Sequence, residues 1–167
     1  MKPWRKGAAN ISRILRASLV EDVEIFLSYR RDDIAAAAGR VYSELAHAFG
    51  KKAVFIDYEN LDKGEHLEGI IDKVKGAKVL IAMIGKDWNT DRLKEKDDYV
   101  RRELETAYNE GLYIIPILDN RSNLPDKKNL PKSLHFIRDL NFITLHVNDW
   151  EFSMVKLKKT IESKLLK

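Results

Sequence analysis

Cysteine is absent from the 167 residues. Disulfides and thiolate metal sites are thereby excluded, and a reducing compartment is permitted. Histidines are few: His47, His66, His135 and His146 stand far apart, with no pair at metal-ligand spacing. No run approaches the roughly 20 apolar residues of a membrane helix, so no membrane span is expected. The first residues also lack the continuous apolar stretch of a secretory signal. A cytoplasmic location is the expectation. Glycine is scattered, at 39, 50, 64, 69, 76, 85 and 111 beyond the leader. That spacing contains neither a phosphate-cradling loop nor a dinucleotide fingerprint. Ser28 lacks the flanking glycines of a nucleophile elbow.

Charge is present but unevenly placed. Residues 1–20 hold Lys2, Arg5, Lys6, Arg13 and Arg16 and no acid, which is +5. Of 30 basic and 26 acidic groups, 25 and 26 remain for the other 147 residues, a balance of −1. The basic character belongs to the leader, and nucleic-acid binding wants a basic face on the folded body. No nucleic acid is expected as its partner. Ile11, Ile14, Leu15 and Leu19 recur at helical spacing within that leader. Three readings stay open for it: a helix docked on the domain, an interaction stub or linker, or a membrane-surface or targeting helix.

From Val23 onward short apolar runs alternate with helical patterns. Strands are expected at Val23–Tyr29, Ala53–Asp57, Lys78–Ile84, Leu112–Leu118 and Asn141–Leu145. Asp32 or Asp33 offers an N-cap to a first helix carrying Ala37, Val41, Leu45 and Phe49, with Gly50 at its end. Leu67, Ile70, Ile71 and Val74 mark a short second helix, stopped by Gly76. A third begins near Asp98, with Val100, Leu104, Ala107 and Tyr108 as its core stripe and Gly111 closing it. Leu157, Ile161 and Leu165 mark the last. Pro116 removes a ladder donor and is expected near a bulge or a strand end.

This alternation predicts an α/β fold: a flavodoxin-like five-stranded parallel sheet in the order 2-1-3-4-5, helices on both faces. Ligands in such sheets bind beyond the carboxyl ends of the strands at the switch point. That gathers Ser28, Tyr29, Arg30, Asp57, Gly85 and the start of the Asp98 helix around one crevice. Arg30 and Arg31 follow the first strand, where a guanidinium fork can grip phosphate or simply stay solvated. Tyr99 and Glu103 are four apart and share a helix face beside the core stripe. A ring there can stack a heterocycle while the carboxylate meets a sugar, although a lone helical glutamate is most often solvated. Trp88 reads as a packing anchor. Asp57 could imitate a receiver phosphoacceptor, but no acidic pair ends the first strand.

Together these segments resemble a TIR domain over about residues 23–166. Phe26-Leu27-Ser28-Tyr29-Arg30-Arg31-Asp32-Asp33 resembles the opening box of the family. Phe55-Ile56-Asp57 with Asn60–Glu65 resembles its second strand and BB loop, and Val79–Gly85 its third strand. Asp97–Leu104 is similar to the helix that carries the glutamate of enzymatic members. The sub-type is most similar to bacterial TIR proteins and to the animal axon-degeneration enzyme. The resemblance implies a basic leader or linker at 1–22 and a TIR domain at 23–167.

It also implies an activity. Enzymatic members cleave NAD+ at the nicotinamide–ribose bond, to ADP-ribose or a cyclic product, with NAD+ as substrate and no further cofactor or metal. Glu103 takes the catalytic position. Ser28, Tyr29, Arg30, Arg31, Asp57, His66 and Tyr99 are then expected around the substrate. Tyr99 stands where many enzymatic members have Trp. Self-association with other TIR domains is implied through the BB loop at Leu61, Asp62, Lys63 and Gly64, in a bacterial defence or signalling effector. The alternative is a non-enzymatic scaffold acting by TIR–TIR contact.

Overall fold

Residues 24–56, 67–88 and 90–165 are described by the computed structural model. Among them, five strands form one parallel sheet: β1 (Ile25–Ser28), β2 (Val54–Ile56), β3 (Val79–Ile84), β4 (Tyr113–Asp119) and β5 (Ile143–Leu145). Their order is β2-β1-β3-β4-β5. The helices α1 (Arg31–Phe49), α2 (Leu67–Gly76), α3 (Tyr99–Asn109) and α4 (Trp150–Leu165) alternate with them. The flavodoxin-like arrangement expected from the alternation is the one observed, with β3 beginning one residue later than expected, β5 two residues later, and β4 shifted by one residue toward its carboxyl end.

The two-residue period of the strands divides the core. Ile25, Leu27, Val79, Ile81, Ile115 and Ile117 pack with Val41 and Leu45 of α1 and Leu157 and Ile161 of α4. Phe26, Leu80, Ile84, Ile114 and Leu118 pack with Ile70 and Val74 of α2 and Leu104 and Ala107 of α3. All six residues of β3 are buried. That is why its sequence is a continuous apolar run, as a strand covered on both faces must be.

Local signals decide where helices begin and end. Asp98 caps α3, its carboxylate accepting from the Arg101 amide at 2.9 Å. At the other end Gly111 adopts φ 73°, which costs a glycine nothing. The Gly111 amide donates to the Tyr108 carbonyl and the Leu112 amide to the Ala107 carbonyl, the paired bonds of a Schellman motif.

Three expectations are corrected. Neither Asp32 nor Asp33 caps α1; Arg30 is the cap residue, without a side-chain bond. Asp33 accepts instead from the amides of Gly85 at 3.0 Å and Asp87 at 2.8 Å, tying α1 to the loop after β3. A Cβ on Gly85 would lie 2.3 Å from the Asp33 carboxylate, so this approach requires glycine. Tyr108 is not a core residue: it is 55% exposed and stacks on Phe136, because the buried arc of α3 passes through Glu103 instead. Pro116 lies inside β4, paired with Ala82, not at a bulge or end. The ladder to β5 begins only at Ile117, which leaves β4 an open edge up to the proline, where a missing donor is tolerated.

Candidate functional site

The alternation that places Phe26 on the α2–α3 side of the sheet also sends Ser28 toward α3. There the Ser28 hydroxyl donates to Glu103 Oε2 at 2.5 Å, across 75 residues of chain. Glu103 is only 6% exposed. The expectation that such a glutamate is usually solvated fails, because the helix face beside Val100 and Leu104 turns toward the carboxyl end of β1.

Next to it opens a cavity of about 430 Å³. Leu27, Tyr29, Arg30, Arg31 and Asp32 line it from the end of β1 and the start of α1. Tyr99, Val100 and Glu103 line it from α3, and Arg92 from the turn before α3. Its volume lies within the range of small-molecule sites. Its position is the switch point, where β1 is flanked by β2 on one side and β3 on the other.

Arg30 is held differently from an open phosphate grip. Its Nη1 and Nη2 donate to both oxygens of Asp98 at 2.9 and 3.0 Å, and its Nε donates to the Trp88 carbonyl at 2.8 Å. Both side chains are almost wholly buried. The fork thus clamps the end of β1 to the start of α3 and to the Trp88 loop. Trp88 is the packing anchor expected of it, buried beside Leu93 and Val100. Burial raises the Asp33 carboxyl above its ordinary range, against the lowering effect of the Asp87 and Gly85 amides.

Of the residues singled out from the sequence, the fold brings Tyr29, Arg30, Arg31, Tyr99 and Glu103 to one cavity, with Ser28 directly beneath on Glu103. Gly85 belongs to the Asp33 brace. Asp57, His66 and the loop residues Leu61, Asp62, Lys63 and Gly64 lie outside the described residues. Two contributors were not anticipated as such. Asp98 was legible as a helix start but not as the partner of Arg30. Arg92 sits in a charged connection with no periodic signal to set it apart. Among the described residues, no group of three or more His, Asp or Glu could hold a metal ion. No helix among them is long and apolar enough to cross a membrane.

Chemically, the cavity offers a buried carboxylate, an adjacent phenol ring and cationic side chains. That combination suits a sugar carrying a planar base and a phosphate.

A family model described as TIR domain matches residues 25–158. The chain is 28% identical over 128 residues to the NAD(+) hydrolase sarm1 of Drosophila melanogaster, covering 74% of this chain and 9% of that protein. To the NAD(+) hydrolase tir-1 of Caenorhabditis elegans it is 29% identical over 154 residues, covering 89% of this chain and 15% of the relative. To the NAD(+) hydrolase SARM1 of Danio rerio it is 29% identical over 143 residues, 83% of this chain and 19% of that one. The match therefore spans less than a fifth of the length of each of these relatives. Among solved structures, the TIR domain of the Toll-related receptor TRR-2 from Hydra magnipapillata superposes with TM-score 0.57 at 17% identity. That match covers 83% of this chain and 97% of the other. The TIR domains of the activated Roq1 resistosome, which directly recognises the pathogen effector XopQ, give 0.57 at 13%, covering 84% and 99%. Both likenesses concern the fold.

Proposed function

The chain belongs to the TIR domain family, and from that premise we propose that it hydrolyses NAD+ at the nicotinamide–ribose bond, with Glu103 as the catalytic carboxylate. One observation carries the reading: Glu103 is buried yet lines a cavity at the switch point, beside Tyr99. The names of its relatives, NAD(+) hydrolases, point the same way.

The chemistry needs only one carboxylate. Nicotinamide is bound to ribose as a cation. When the glycosidic bond breaks, its electron pair goes to the ring nitrogen and the ring departs neutral. No general acid is required, unlike the paired carboxyls of ordinary glycoside hydrolysis. Positive charge develops on the ribose instead. A fixed anion shielded from water stabilises that charge, and removing such a group costs on the order of a hundredfold or more in rate. Water then adds at the anomeric carbon and releases a proton, giving ADP-ribose. Attack by an adenine nitrogen gives a cyclic product. Ser28 holds the carboxylate in place, and the Arg30–Asp98 clamp holds the helix that carries it. Tyr99 supplies the ring against which the base stacks.

The wider role we propose is that of a self-assembling effector of the bacterial defence type, joined through the loop at residues 61–64. Its support is the sequence resemblance of the opening box and of the glutamate helix to bacterial members. One observation favours a second reading, a scaffold acting by TIR–TIR contact: Tyr99 replaces the Trp of many enzymatic members. Concentrated protein incubated with NAD+, with nicotinamide release followed for wild type and Glu103→Ala, separates the two. Release by wild type and its loss in the variant are expected. Equal release by both would remove Glu103 as catalyst, and inert protein under every assembly condition would favour the scaffold.

A further inference from the structure

The first turn of α1 is set apart from the rest of the helix. Ile34, at φ −136° and ψ 24°, leaves helical geometry, so residues 31–33 form a turn of their own. The Asp33 and Ile34 amides close it by donating to the Arg30 carbonyl at 3.2 and 3.1 Å. Arg30, Arg31 and Asp32 line the cavity, and Asp33 is not part of that lining. Its carboxylate reaches the loop after β3 instead, accepting from the Gly85 amide at 3.0 Å and the Asp87 amide at 2.8 Å. The next residue of that loop, Trp88, accepts at its carbonyl from Arg30 Nε at 2.8 Å. Turn and loop are thus tied twice, and the tie through Arg30 runs on to Asp98 and α3. An acid in the first turn of a helix commonly gains from the dipole of its own helix. Asp33 has both oxygens engaged by another segment, 52 and 54 residues further along the chain.

We propose that Asp33 is a positioning residue for the cavity: through the loop after β3 it holds the turn that carries Arg31 and Asp32 in place opposite Glu103. The role rests on the reading of the cavity as an NAD+ site. Bonds from amides to a carboxylate are charge-assisted and stronger than neutral ones. Two of them on one carboxylate fix both the position and the rotation of the turn. Without them the turn keeps only its backbone bonds to Arg30 and its junction at Ile34. Glu103 keeps its bond from Ser28, and α3 keeps the Arg30–Asp98 clamp. The loss therefore falls on substrate binding and spares the chemical step. Gly85 offers a second handle on the same brace. A Cβ there would collide with the Asp33 carboxylate, whose three atoms are its three nearest neighbours. Alanine at 85 thus breaks the brace with Asp33 unchanged, and shortening Asp33 removes the obstacle.

Asp33→Ala, Gly85→Ala and the double variant, each in the full chain, test this against wild type. Saturation curves for NAD+ are expected to show KM raised roughly tenfold in each single variant, with kcat changed far less. The double variant should match Asp33→Ala alone, because the added methyl group then meets no carboxylate. Asp33→Asn keeps one acceptor oxygen and should recover part of the loss; should Asp33→Ala not fold, its KM against wild type decides instead. Unchanged KM in Asp33→Ala would overturn the role. So would a further, additive rise in the double variant, or a fall in kcat at constant KM. A lower melting temperature with wild-type KM marks a purely structural brace and overturns it as well. If wild type releases no nicotinamide, the catalytic reading fails by itself. NAD+ titration followed by amide chemical shifts then still decides the brace. Shifts at Arg31, Asp32 and Tyr99 in wild type that need roughly tenfold more NAD+ in Asp33→Ala support it. Their absence in wild type, or equal affinity in both, removes it.

Discussion

Helices α3 and α4 each bury one polar side chain among apolar ones, and the two do so in different ways. In α4 the residue is Ser153, buried with Met154, Leu157, Ile161 and Leu165. Its hydroxyl lies 3.1 Å from the Asp149 carbonyl and 3.3 Å from that of Thr144, and it receives the His146 amide at 3.4 Å. All of these are backbone atoms within nine residues. In α3 the residue is Glu103, a charged group whose hydroxyl partner, Ser28, comes from a strand 75 residues away. Ser153 satisfies the turn that leads into its own helix. Glu103 opens onto a cavity. A neutral group met by local backbone serves the fold; a carboxylate supported from a distance beside a cavity is the arrangement on which the proposed chemistry rests.

The largest effect that sharpens this contrast comes from the clamp beneath α3. Arg30→Ala leaves Asp98 buried and without its bidentate partner, which should cost about 3–5 kcal/mol of stability in urea unfolding. A small loss would mean that the pair is solvated in solution. Glu103→Gln keeps the size and removes the charge. Nicotinamide release should fall at least about a hundredfold while the fold persists. Release at the wild-type rate would place α3 with α4, its buried polar residue merely structural.

Ser28→Ala removes the hydroxyl from Glu103 without touching the cavity wall. A roughly tenfold lower kcat with nearly constant KM is expected, because one bond to a charged group is lost. Ser28→Thr should restore part of the rate. Equal changes in kcat and KM for both variants would contradict a positioning role. The smallest effect belongs to the control helix. Ser153→Ala should lower stability by about 1 kcal/mol and leave the turnover of NAD+ unchanged. A loss of turnover there would erase the distinction between the two helices.

Much of the fold was readable from periodicity. The continuous run Val79–Ile84 announced a strand covered on both faces, and β3 is one. Leu157, Ile161 and Leu165 marked the buried face of α4. Gly111 marked the end of α3, since the left-handed conformation there favours glycine. Where the reading erred, tertiary partners overrode local preference. Asp33 suits a helix cap by residue type, yet two amides of the loop after β3 claim its carboxylate. Tyr108 fits the apolar stripe of α3, yet the sheet takes Glu103 instead and leaves the ring outside against Phe136.

The candidate site divides along the same line. Residue types and their order along the chain were enough to bring the end of β1 and the start of α3 to one crevice. Strand alternation and helix period are local properties, and topology follows from them. The difference in burial among the arginines was not legible. Arg30 and Arg31 are neighbours of identical chemistry, and Arg92 is one more charge in a polar connection. Only the packed structure buries Arg30 against Asp98 and leaves Arg92 half exposed on the cavity wall. Burial is set by everything that surrounds a side chain, and for these arginines the surroundings come from segments some sixty residues apart.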